Sequence, residues 1–166
     1  MTVRDAAAGD ADAIAAIYAH HVLNGTATFD TVPPEAAAMA AKVAEVQGAG
    51  WPFLVIEQGG ELAGYAYATQ IRPRPAYAHT AEDSIYIRHD RVGRGLGATL
   101  LAALLNRAAT AGFEQMVAVI GAADPASIAL HTRAGFREAG RLVGVGRKFG
   151  RVLDTFYMQR SLGRTD

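Results

Sequence analysis

The stretch RVGRGLGATLL, Arg91–Leu101, sets three glycines at alternating positions ahead of an apolar run. Glycine at every second position weakens helix and strand alike, because each one loses backbone entropy on ordering and returns no side-chain packing. The pattern belongs to a loop whose backbone something approaches closely. Ahead of it a strand runs to Ser84-Ile85-Tyr86-Ile87. Behind it Leu96, Leu100, Leu104 and Ala108 fall on one stripe of a helix starting near Gly95. Strand, glycine loop and helix N-terminus, in that order, present free N–H groups and the positive end of the helix dipole to an anion. With Arg91 and Arg94 beside it, the loop reads as a phosphate cradle in preference to a plain tight turn. It is not a P-loop, since no lysine follows the glycines. GRGLGA fits the dinucleotide fingerprint, but there the first glycine directly follows the first strand of the unit; here RHDRV intervenes, in mid-chain.

Working outward, Thr2–Arg4 is a short strand and Asp10 an N-cap for a helix whose buried face is Ile14, Ile17, Tyr18, His21 and Val22. Asn24-Gly25 ends that helix. Pro33-Pro34-Glu35 starts an alanine-rich second helix that Gly48 and Gly50 stop. Phe53–Glu57, the turn Gly59-Gly60 and Leu62–Ile71 form a hairpin. RPRPAY, residues 72–77, is too rich in proline for a sheet interior. Gly112 closes the glycine-loop helix, and the unbroken apolar run Met116–Ile120 predicts a strand buried on both faces. Asp124-Pro125 then opens a helix as N-cap and N1, with Gly135 as its stop, and Leu142–Leu162 reads as two strands joined around KFGR. The class is α/β with a mixed sheet, in a single domain over residues 1–166.

Composition narrows the functions. Hydrophobic residues make up 51% and charged residues 19%, which places the chain among globular domains. Sixteen basic and sixteen acidic residues leave no net charge, which argues against broad nucleic-acid binding. There is no cysteine, hence no thiol nucleophile. The start, MTVRDAAAGDADA, is acidic where a signal peptide is basic then apolar, and no apolar run is long enough for a membrane span, so a cytoplasmic protein is expected. The five histidines show no ligand spacing, and no metal is expected.

With these strings on the page, V-G-R-G-L-G resembles the acyl-CoA pyrophosphate loop of the GNAT N-acetyltransferases, with Val92 where that family prefers Gln or Arg. The order of elements is similar to the GNAT fold from Val3 to Leu162: a central mixed, mostly antiparallel sheet flanked by helices. TATF, RPRPAYAHTAEDSIYI, VAVIG, ASIALHTRAGF and GRKFG are similar to the phosphinothricin and methionine sulfoximine acetyltransferases within it. The resemblance implies direct transfer of acetyl from acetyl-CoA to the amine of a small amino acid or analogue. It implies a homodimer, and no nucleic-acid or membrane partner.

The resemblance also distributes roles. The cofactor would lie on Gly93, Arg94, Gly95, Leu96, Gly97 and Ala98, with backbone contacts from Ile85, Tyr86 and Ile87. Asp124 stands where relatives carry an Asn that touches the cofactor, but reads first as a plain N-cap; Ser127 is a further cofactor candidate. Glu82, just before the strand, is the expected base and contacts the acceptor amine; its alternative is a surface glutamate at a strand entry. His131 is the second catalytic candidate, or else a packed helix residue. Arg72, Arg74 and Tyr77 would hold the acceptor carboxylate, the arginines by paired hydrogen bonds. Phe29 would line the acceptor pocket, or sit in the core. Two further functions fit the same scaffold: acetylation of a protein N-terminus or lysine, and non-catalytic acyl-CoA binding.

Overall fold

The structure, a computed structural model, describes residues 1–163; the end of the expected domain, at Asp166, lies outside them. In chain order the elements are β1 (Thr2–Asp5), α1 (Ala11–Asn24), α2 (Ala36–Gly48), β2 (Phe53–Gln58), β3 (Glu61–Gln70), β4 (Thr80–Ile87), α3 (Leu96–Thr110), β5 (Gln115–Gly121), α4 (Pro125–Arg133), β6 (Arg137–Lys148) and β7 (Arg151–Ser161). The strands make one sheet in the order β1-β2-β3-β4-β5-β7-β6. Every neighbouring pair is antiparallel except β4–β5, for which α3 is the crossover that a parallel pair requires. The α/β class and the mixed, mostly antiparallel sheet are as the sequence led us to expect.

Alternation along β2 builds a core on each face of the sheet. Leu54 and Ile56 join Leu96, Leu100, Leu101 and Leu104 of α3 on one side. Phe53 and Val55 join Ile14 and Ile17 of α1 and Met39, Val43 and Val46 of α2 on the other. Each fully buried leucine of the α3 stripe contributes about 1.5–3 kcal/mol.

Four local readings change. β5 is not buried on both faces: Met116, Ala118 and Ile120 are buried, whereas Val117 and Val119 are half-buried. β6 starts at Arg137, ahead of Leu142, because its first turn of REAGR is an exposed edge with no apolar alternation to signal it. Glu82 lies inside β4, not before it. Asp10 turns its carboxylate back to the Ala7 N–H and the Arg4 guanidinium and does not cap α1 by a side-chain bond.

One feature of the sheet positions everything else. The β4–β5 ladder ends at Asp83–Ala118. Beyond it β4 continues beside β3 alone, and Val119–Gly121 of β5 continue beside β7 alone. The sheet splits there, and two strand edges face a gap.

Candidate active site

The split opens into a cleft of about 280 Å³. Its walls are Glu82 to Tyr86 of β4, Ala118 to Gly121 of β5, Ala27 to Phe29 of the loop after α1, Asp124, Ser127 and His131 of α4 with its cap, and Thr155 of β7. Of the residues expected at the site, Glu82, His131, Ile85, Tyr86, Asp124, Ser127 and Phe29 are thus brought together. Ile87, which ends β4, and the glycine loop that follows it in the chain are not among the lining residues. Arg72, Arg74 and Tyr77 are exposed on the RPRPAY loop and are not among the residues that line the cleft. Gln70 holds that loop, donating from Nε2 to the carbonyls of Arg72 at 2.6 Å and Arg74 at 3.0 Å.

Adjacent carboxylates on β4 point to opposite faces because a strand alternates. Glu82 is half-buried at the cleft. Burial, then the neighbouring Asp83 charge, pushes its pKa up, and Arg72 partly opposes them. Asp83 is buried, and its Oδ2 accepts from His131 Nε2 at 2.9 Å. The other nitrogen, Nδ1, donates to the Ser127 carbonyl at 2.8 Å. A carbonyl only accepts, so Nδ1 carries a proton; with Asp83 ionised, Nε2 carries one too. The hydrogen bond that His131 donates to Asp83, together with the Asp83 charge, outweighs burial and raises the His131 pKa.

Two consequences follow for the chemistry. His131, 2% exposed and with both nitrogens engaged, has no lone pair to offer an incoming amine. This geometry favours Glu82 over His131 as the base. Ser127, His131 and Asp83 are the residue types of a hydrolytic triad, but a protonated Nδ1 cannot take the proton of Ser127 Oγ, 3.4 Å away. Sequence reasoning missed Asp83, whose adjacency to Glu82 in an alternating strand was its only signal.

The loop fits a diphosphate. Gly93 and Gly95 are left-handed, at φ 76° and 77°, and a Cβ on either would meet no atom within 4 Å. Their backbone demands glycine, and the space above them is open to a ligand. Gly97 differs: a Cβ there would sit 3.4 Å from Leu130 Cδ2 of α4, an ordinary packing contact. Arg88 and Arg91 are paired with Asp90 and Glu61, whereas Arg94 makes no ion pair among the described residues. Asp124 caps α4, its Oδ2 accepting from the Ser127 N–H at 2.9 Å. His21 Nε2 donates to the Ile87 carbonyl at 2.9 Å, tying α1 to the end of β4. No three or more His, Cys, Asp or Glu side chains stand where they could share a metal ion, among the described residues.

On the acceptor side, Phe29 is 36% exposed at the cleft. Its loop is fixed by Lys148, whose buried Nζ donates to the Thr28 carbonyl at 2.9 Å. Burial pulls the Lys148 pKa down. Tyr18 donates to Asp30 Oδ2 and receives from Thr28 Oγ1 at 2.8 Å.

A sheet split after its single parallel pair, with an anion cradle where the crossover helix begins, is the architecture of the GNAT class of acyltransferases. The acetyltransferase (GNAT) domain model matches residues 3–157, and the chain belongs to that family and is an acyltransferase enzyme. It is 50% identical over 166 residues to a phosphinothricin N-acetyltransferase of Alcaligenes faecalis, covering 99% of this chain and 84% of that protein. It is 41% identical over 165 residues to an L-methionine sulfoximine/L-methionine sulfone acetyltransferase of Pseudomonas paraeruginosa, covering 99% and 96%. Among solved structures, a GNAT superfamily phosphinothricin acetyltransferase from Sinorhizobium meliloti, in complex with AcCoA, superposes with TM-score 0.95 at 46% identity, covering 99% of this chain and 90% of that one.

Proposed function

We propose that this enzyme acetylates the α-amine of a small amino acid or amino-acid analogue, of the phosphinothricin or methionine sulfoximine kind, using acetyl-CoA in a ternary complex. The observation that carries the reading is Glu82, a half-buried carboxylate of raised pKa, standing at the split between β4 and β5. The relatives that act on such compounds support the acceptor class.

When bound, acetyl-CoA supplies an activated acetyl thioester. The amides of Gly93 to Ala98 and the α3 dipole hold its diphosphate, and the free edge of Ile85–Ile87 holds its arm. Asp124 and Ser127 border the same channel. Glu82 takes a proton from the acceptor, whose α-amine has a pKa of about 8 and arrives as ammonium. A carboxylate whose pKa is raised by burial is better matched to that task than an ordinary one. Arg72, close enough to Glu82 to act on its pKa, and Arg74 and Tyr77 on the same loop, orient the acceptor carboxylate. Transfer is direct: the chain has no cysteine, and His131 cannot activate Ser127. The enzyme works in the cytoplasm as a single domain and as a homodimer. The exposed apolar side chains of β6 and β7 speak for the dimer.

The test is release of free CoA thiol with a panel of methionine sulfoximine, phosphinothricin, methionine sulfone, the common amino acids and short peptides. Turnover with free amino acids or analogues is expected. Turnover with peptides alone, or with nothing in the panel, overturns the reading.

A further inference from the structure

Gly121 of β5 and Gly146 of β6 are both buried, and neither has a left-handed backbone, so conformation does not demand glycine at either. Space does. A Cβ on Gly146 would lie 2.8 Å from both Cδ2 and Cζ of the Phe29 ring, and closer still to Cε2. A Cβ on Gly121 would lie 2.8 Å from the Thr26 carbonyl oxygen, 3.1 Å from that of Ala27 and 3.2 Å from Phe29 Cε1. Real side chains do not pack so tightly against a ring and two carbonyls. By contrast Gly140, on the same strand as Gly146, has nothing within 4 Å of a built Cβ. The β6 register shifts between Leu142 and Gly146, an irregularity that re-aims the strand as it passes Phe29. Lys148, two residues on along the same face of β6, donates to the Thr28 carbonyl.

We propose that Gly121 and Gly146 form a Cβ-free slot that fixes the Phe29 ring as a wall of the acceptor cleft, and so set the size of acceptor side chain the enzyme admits. The proposal rests on the amino-acid reading above and deepens it. The ring meets Gly146 of β6 and also lines the cleft, so a side chain at Gly146 should displace it and reshape that wall. Selectivity for bulk is then decided through the ring, by Gly146, which does not line the cleft, and by Gly121 at its wall.

Steady-state kinetics with methionine sulfone and alanine test this. Gly146→Ala should lower the ratio of kcat/KM for methionine sulfone over alanine about tenfold or more. The KM for acetyl-CoA should stay within about twofold, since the cradle is elsewhere. Phe29→Ala should raise the ratio. In the Phe29→Ala background Gly146→Ala should have no further effect on it, because the group it collides with is gone. Gly140→Ala should match wild type. The proposal is overturned if Gly146→Ala leaves the ratio unchanged, acts equally in both backgrounds, or is mimicked by Gly140→Ala. If Gly146→Ala does not fold, an unchanged ratio in Phe29→Ala overturns it, and a raised one upholds it. If wild type acts on no free amino acid, the functional reading fails first. The slot is then judged on a crystal structure of Gly146→Ala: a displaced ring sustains it, and an unmoved ring sinks it.

Discussion

Glu82 and Asp83 are neighbours in sequence with opposite fates. Asp83 is committed to His131, while Glu82 keeps its carboxylate at the cleft with burial acting against its charge. Glu82→Gln should lower kcat by about 10²–10⁴ while acetyl-CoA binding, read by calorimetry, survives. A base works only when deprotonated, so wild-type kcat/KM should fall as pH drops through the raised pKa. That acid limb, set above the ordinary carboxylate range, should vanish in the variant. The stability effect has the opposite sign. A carboxyl whose folded pKa is raised binds protons more tightly when folded, so its contribution is present at low pH and lost as pH rises through that pKa. Glu82→Gln should therefore raise Tm at pH 7 and change it little at pH 4. A variant with full turnover would falsify the assignment of the base.

At the scale of elements, His131 and Asp83 pin α4 to β4 beneath the cleft, and Asp83 Oδ1 is buried without a partner. Removing one member of such a pair strands the other. Asp83→Leu should cost about 3–5 kcal/mol by urea unfolding, whereas Asp83→Leu combined with His131→Leu should return to within about 1 kcal/mol of wild type. Because the His131 pKa is raised, its pairing is fully present below about pH 6.5 and is lost as pH rises through the folded value. The wild-type urea midpoint should show that loss, and the double variant should not. If the single and double variants are equally unstable, the pin is not an ion pair. The elements themselves were largely legible. The α3 stripe, the Asp124 cap and the Gly59-Gly60 turn each depend on residues within a few positions of one another, so local chemistry fixes them. β6 was read short because an exposed edge strand needs no hydrophobic alternation.

For the whole molecule, the consequential asymmetry is at the far edge of the sheet. Leu142, Val143, Val145, Phe149 and Val152 stand exposed on the β6–β7 hairpin, Val143 at 78%. Exposed apolar side chains gathered on one hairpin are what the proposed dimer would cover. Sedimentation should give a dimer for wild type and a monomer for Val143→Glu with Val145→Glu. A wild-type monomer at micromolar concentration would remove the dimer from the reading. By itself the sequence determined the class and the glycine loop at the start of α3, both written in short-range pattern: period 2, period 3.6, or a loop whose backbone only glycine can adopt. Glu82 as candidate base came from the resemblance to the family, not from any such pattern. Tertiary structure alone decided that β4 and β5 part after Asp83–Ala118, that His131 is locked by Asp83, and that Phe29 stands in a slot between Gly121 and Gly146. These contacts join residues from 35 positions apart, Asp83 to Ala118, to 117 apart, Phe29 to Gly146. No local periodicity records such a distance, because it is set by which strand the chain returns to.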